Sequence, residues 1–213
     1  MGAGCTLPGR ALPPREGVVD NTIRAFIAIE PSASARAALA RLTRRMQEAQ
    51  LRDLRWVDPM GVHLTLKFLG NITLPMRDKV VEVMESAARG LGPFPLALSS
   101  LGVFPSPRSP RVLWVGVQGD LESLGRLQER LEAGLEGLGF PREVRGFTPH
   151  LTLARTRDRL SPQARDRLAQ VLASERPDWA EAEAVWEVRE VVLMRSTLTP
   201  SGAIYQLIAK STL

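Results

Sequence analysis

One cysteine, Cys5, is all the sulfur chemistry this chain has for cross-linking, which excludes an internal disulfide and leaves nothing that calls for an oxidising compartment. Long apolar runs are missing too: none reaches the roughly 18 to 20 residues of a membrane-spanning helix, and no basic start leads into an apolar segment with a small-residue cleavage site. The expectation is a cytoplasmic protein without a membrane. A short match of Gly2 and Thr6 to the N-myristoylation pattern is too easily met by chance to change it. Lysine is scarce, with Lys67, Lys79 and Lys210 the only three among 28 basic residues. The arginine excess, a net charge of +5 and a pI near 10.3 suit a polyanionic partner such as RNA, since the guanidinium fork matches phosphate. A GC-rich genome accounts for the same excess, so charge alone decides little.

What is present is an ordinary globular composition, 44% hydrophobic and 24% charged, enough to bury a sizeable core. Residues 1–21 are rich in Pro and Gly without periodicity and are expected to form a disordered extension. From Thr22 the order is strand (23–29), helix (32–49, behind Ser32), strand at "HLTLKF" (63–68), helix (73–89, behind Thr73) and strand (94–104). The order then repeats: strand (111–117), helix (121–138), strand at "HLTLAR" (150–155) and a helix behind Ser161. Strands over 184–198 and 205–213, with a turn at "TPSG", complete the chain. The repeat predicts one domain over 22–213 made of halves at about 22–105 and 110–213. The fold expected is α+β: two pseudo-symmetric lobes, each an antiparallel sheet with helices on its outer face, and an active-site cleft between them.

The chain has only two histidines, and both open a His-Leu-Thr-Leu tetrapeptide: His63 and His150. Strand alternation puts His63 and Thr65 on one face and Leu64, Leu66 and Phe68 on the other; His150 and Thr152 repeat this against Leu151 and Leu153. A packing role does not need the same histidine twice. Two imidazoles that change charge near neutral pH can act as base and acid on opposite sides of a phosphodiester, with Thr65 and Thr152 as hydroxyl donors to the phosphate oxygens. Metal hydrolysis is the competing chemistry, but HExxH, a cysteine cluster and acidic residues within the motifs are all missing; no metal or other cofactor is expected. A Ser-His-Asp triad finds no G-x-S-x-G and leaves one histidine unexplained.

With "RWVDPMGVHLTLKFLGNI", "LGVFPSPRSPRVLWVGV", "FTPHLTLAR" and "GAIYQLIA", the chain resembles the two-histidine phosphoesterases, and within them the RNA 2′,3′-cyclic phosphodiesterases, also known as 2′-5′ RNA ligases. The likeness runs from Ile23 to the C-terminus; residues before Thr22 depart from it. It implies a metal-independent hydrolysis of RNA 2′,3′-cyclic phosphate ends to 2′-phosphates, with His63 the proton donor to the departing 3′ oxygen and His150 the base that activates water. RNA with such ends is the expected partner, and no obligate protein partner is evident. Arg155 is a candidate for phosphate binding, although strand parity sets it opposite His150 unless the strand bends. Lys67 shares the face of His63 by parity and is a second candidate. The alternatives are 2′-5′ ligation by the reverse chemistry and a non-catalytic RNA-end-binding protein.

Overall fold

The computed structural model describes residues 22–213 except 50, 52, 158, 175, 176, 178, 180 and 201, so the expected extension, Cys5 and Gly2 lie outside the described residues. The elements run β1 (Thr22–Ile29), α1 (Ala33–Glu48), β2 (Leu54–Trp56), a 3-10 turn (Pro59–Gly61), β3 (Leu64–Thr73) and α2 (Leu74–Ala88). They continue with β4 (Phe94–Phe104), β5 (Val112–Gly119), α3 (Leu121–Glu136), β6 (His150–Thr156), α4 (Pro162–Ser174), α5 (Glu181–Ala184), β7 (Val185–Val188), β8 (Glu190–Thr199) and β9 (Gly202–Thr212). The expected helix starts hold. Ser32, Thr73 and Ser161 each accept a backbone N–H from the first turn of the helix that follows, satisfying a donor that has no partner within the helix.

Every strand pairing is antiparallel, as an α+β fold requires, and the strands form one sheet in the order β7-β4-β5-β6-β3-β1-β8-β9, with β2 beside β6. Pairing does not follow chain order: β4 pairs with β5, while β8, late in the chain, pairs with β1. The stretch expected as one strand over 184–198 is instead two, broken at Arg189. β7 borders β4 at one edge and β8 borders β1 near the other, with a single residue between them. So short a connection between distant positions requires the sheet to curl, bringing its two ends together.

Helices and one face of the sheet bury a continuous core that includes Ile27, Leu39, Leu42, Leu64, Met84, Leu113, Leu127 and Leu151. Each such side chain removed from water contributes about 1.5–3 kcal/mol. On the opposite face a second, small cluster gathers Phe26, Ala28, Val192 and Met194, with Tyr205 against it. The alternation along β1 explains the split, because Ala25, Ile27 and Ile29 point to the helices and Phe26 and Ala28 away from them.

Candidate active site

The motif strands β3 and β6 lie side by side in the middle of the sheet and join through one pair, Leu64 with Leu151. Both leucines are fully buried in the core, so they fix the two strands to the helix layer. In an antiparallel register through that pair, His63 stands opposite Thr152 and Thr65 opposite His150, all four on the face away from the core. His63 and His150 are then diagonal neighbours, for which sheet geometry gives roughly 7–8 Å, a span that one phosphate fills with a hydrogen bond on each side.

Each imidazole is held in the same way. Nδ1 of His63 lies 2.8 Å from the Gly61 carbonyl and Nδ1 of His150 lies 2.8 Å from the Thr148 carbonyl. A carbonyl only accepts, so both Nδ1 atoms carry hydrogen and donate it, which leaves both Nε2 atoms for the substrate side. Aromatic rings wall each one. Phe26 stacks on His63 with centroids 4.5 Å apart, and Tyr205 meets it edge-on at 4.9 Å. Phe104 meets His150 edge-on at 4.9 Å, with Trp114 at 6.2 Å. Sequence reading missed these four residues. Strand parity offered a signal for Phe26, which alternates with the core residues Ile27 and Ala25, but the neighbours of His150 come from strands whose pairing the sequence does not reveal.

Trp114 sits over Gly102 on the adjacent strand, where an added Cβ would come within 2.2 Å of its ring. Gly102→Ala therefore pushes the indole toward His150 or shifts the strand, and overpacking of this kind costs about 1–3 kcal/mol. Urea unfolding should show that loss, and an unchanged midpoint would mean the ring is not seated on Gly102.

Burial holds the His63 imidazole down at about 4, from an ordinary 6.5, because the charged form is poorly solvated beside Phe26 and Tyr205. Its bond to the Gly61 carbonyl opposes that, the Arg155 guanidinium adds to it, Glu30 opposes it and Arg36 adds to it. His150 is lowered for the same leading reason, again opposed by its carbonyl partner and aided by Arg155. The same guanidinium therefore depresses both imidazoles.

Two β-bulges decide where the candidate phosphate ligands go. Thr65 pairs with Ala28 but Lys67 with Ile27, so Leu66 is an extra residue in β3 and the alternation reverses after it. Leu153 is the same extra residue in β6, between Thr152 and Ala154. The expectation for Lys67 is corrected: it turns to the helix side, 3% exposed, and its Nζ lies 2.7 Å from Glu132 and 2.6 Å from the Pro141 carbonyl. Phe68 moves the other way, to the face of Phe26 and His63, where it is exposed. Arg155, five residues after His150 as Phe68 is after His63, comes to the His150 face and is solvent-exposed. The bend that parity needed is thus present, and the two copies present arginine on one side and phenylalanine on the other. Among the described residues no group of three or more His, Cys, Asp and Glu comes together, and no helix is long and apolar enough to cross a membrane.

Comparison with known proteins bears on the family and the fold. The family model of the 2′-5′ RNA ligase superfamily matches residues 30–199. The RNA 2′,3′-cyclic phosphodiesterase of Methanothermobacter thermautotrophicus is 34% identical over 183 residues, covering 86% of this chain and 95% of that protein. The protein of the same name from Aquifex aeolicus is 32% identical, covering 87% and 95%. Among solved structures, one from Thermus thermophilus superposes with a TM-score of 0.71 at 29% identity, covering 90% of this chain and 98% of that one. Escherichia coli LigT complexed with 3′-AMP shares the fold, with a TM-score of 0.71 at 23% identity and the same coverage. With a model match across most of its length, and both His-x-Thr-x strands paired at the centre of one antiparallel sheet, the chain belongs to the 2′-5′ RNA ligase superfamily.

Proposed function

We propose that this protein hydrolyses the 2′,3′-cyclic phosphate at RNA ends to a 2′-phosphate, the activity for which its relatives are named. One observation carries the reading: two His-x-Thr-x strands adjacent through Leu64 and Leu151, each imidazole donating Nδ1–H to a carbonyl and turning Nε2 outward. His150 Nε2 takes a proton from water as its oxygen attacks phosphorus. The bond from phosphorus to the 3′ oxygen breaks, and His63 Nε2–H delivers the proton that oxygen needs to leave as a hydroxyl. Thr65 and Thr152 donate to the non-bridging oxygens, whose charge grows in the transition state, and Arg155 supplies a fixed positive charge beside them. His63 as donor and His150 as acceptor follow the family resemblance, since the geometry of the two is equivalent. The test is to incubate an RNA bearing a 2′,3′-cyclic phosphate with and without a 5′-hydroxyl RNA and to identify products. A 2′-phosphate from either mixture supports hydrolysis; a 2′-5′ joined product without 2′-phosphate, or binding without turnover, overturns it.

The lowered imidazoles set the pH dependence. Both lie below 6.5 in the free protein, so at neutral pH both are neutral and a proton donor is lacking until the anionic phosphate binds between them. Its negative charge raises both. The alkaline limb of kcat/KM, which reports the free protein, should therefore fall at lower pH than the alkaline limb of kcat, which reports the complex. Coincident limbs in the two profiles would contradict the assignment of both protons to imidazoles depressed by burial.

Arg155→Ala should raise KM and lower kcat/KM by about ten-fold or more, the loss of one charge-assisted phosphate contact. It should also let both imidazole titrations rise, since the same guanidinium depresses each. Wild-type kinetics would place Arg155 outside the site.

A further inference from the structure

The segment from Glu136 to His150 is irregular, and residues 141–146 are all exposed, with Val144 fully so. Phe140 and Phe147 pack against the core on either side of residues 141–146, but none of those six does, and the segment delivers Thr148, whose carbonyl orients His150. Two buried charges hold its backbone from behind. Lys67 donates from Nζ to Glu132 Oε2 at 2.7 Å and to the Pro141 carbonyl at 2.6 Å. Glu132 Oε2 also accepts the Glu143 N–H at 3.4 Å, and Oε1 accepts from Gln128 at 3.2 Å. Lys67 is 3% exposed and Glu132 4%, whereas the outer ties of this loop, Arg142 to Glu129 and Glu136, are made by exposed side chains.

The placement of Lys67 is not a packing convenience. It follows from the Leu66 bulge, which turns a cation on the His63 strand through the sheet toward α3 and the approach to the other motif. A buried ion pair is often replaceable by apolar residues without loss of stability. What an apolar pair cannot do is donate to the Pro141 carbonyl and accept from the Glu143 amide. We propose that Lys67 and Glu132 are a positioning pair for His150: from the strand that carries His63 and from α3, they fix the loop whose Thr148 carbonyl aims the second imidazole. Neither touches the substrate. The proposal rests on the catalytic reading above for its effect on rate, but not for its effect on the imidazole.

The experiment is the double variant Lys67→Met with Glu132→Leu, which removes both charges and keeps side-chain bulk. Displacements of an ångström in an oriented site cost up to about 10²-fold, so kcat should fall at least about ten-fold while KM stays within about two-fold. Because the chain has two histidines, NMR titration of the full-length protein resolves both rings, and His150 should titrate lower than in the wild type, having lost the carbonyl bond that favours its charged form, while His63 is unmoved. An unmoved His150 titration overturns the proposal, whatever happens to kcat, because any rate loss is then exerted elsewhere. Should the double variant fail to fold, backbone relaxation of the wild type decides instead. Amide order parameters for 142–148 near the 0.85 or so of rigid backbone support the clamp, and values below about 0.6 overturn it. A wild type without turnover would defeat the proposed reaction and leave the titration and relaxation tests intact.

Discussion

Alanine in place of either His63 or His150 should lower kcat by about 10² to 10⁴-fold, the usual contribution of a positioned acid or base, while the protein still folds. The fold survives because neither ring is a core side chain: the strands are held by Leu64, Leu66, Leu151 and Leu153 on the other face. His63 has more to lose, since its ring stacks on Phe26 at 4.5 Å and alanine leaves a gap there. His63→Asn and His150→Asn are the companion variants, because a side-chain amide can still donate to the Gly61 or Thr148 carbonyl. Steady-state hydrolysis of a cyclic-phosphate RNA, with circular dichroism as the check on folding, measures the effect; near wild-type turnover in any of the four would sink the two-histidine mechanism. The residual activities also assign the roles. Without its proton donor the protein loses the alkaline limb of the kcat profile, and without its base it loses the acidic limb. Loss of the alkaline limb in the His150 variant would exchange the two roles proposed here.

Lys67→Ala should be among the most destabilising single substitutions in the chain, at about 3–5 kcal/mol, against a total that for domains is typically 5–15. The reason is not the lost attraction but what remains: Glu132, 4% exposed, would keep a negative charge in the core with its cation gone, and the Pro141 carbonyl would lose its donor. Exposed pairs such as Arg126 with Glu122 provide the contrast, since an i,i+4 surface pair contributes only about 0.3–0.5 kcal/mol. Urea unfolding of Lys67→Ala beside Arg126→Ala checks both. A loss for Lys67→Ala no greater than for the surface variant would mean that Glu132 finds another partner or water, and that the buried pair is not what holds α3 to β3.

Much of the local architecture could be read from the chain directly. Helix starts at Ser32, Thr73 and Ser161 are visible because a hydroxyl before an amphipathic run satisfies a donor within three residues. The alternation of His63, Leu64, Thr65 and Leu66 is visible because a strand's period of two needs no partner. The antiparallel α+β class and the family both follow from segments of that kind. β2 went unseen because three residues, Leu54–Trp56, carry too little periodicity, and their strand character comes from bonding to β6.

The sequence by itself therefore determined which side chains could do acid-base chemistry and that each motif strand has a polar and an apolar face. Tertiary structure alone decided how the two motifs meet and where each alternation ends. Lys67 and Arg155 exchange the faces that parity assigned to them because Leu66 and Leu153 are extra residues relative to β1 and β5, and an extra residue exists only with respect to a neighbour. The same holds for Phe26, Tyr205, Phe104 and Trp114, which surround the histidines through the ordering of strands in the sheet. Alternation is a property of a single backbone; register belongs to pairs of strands, and pairs are chosen by the packing of the whole core.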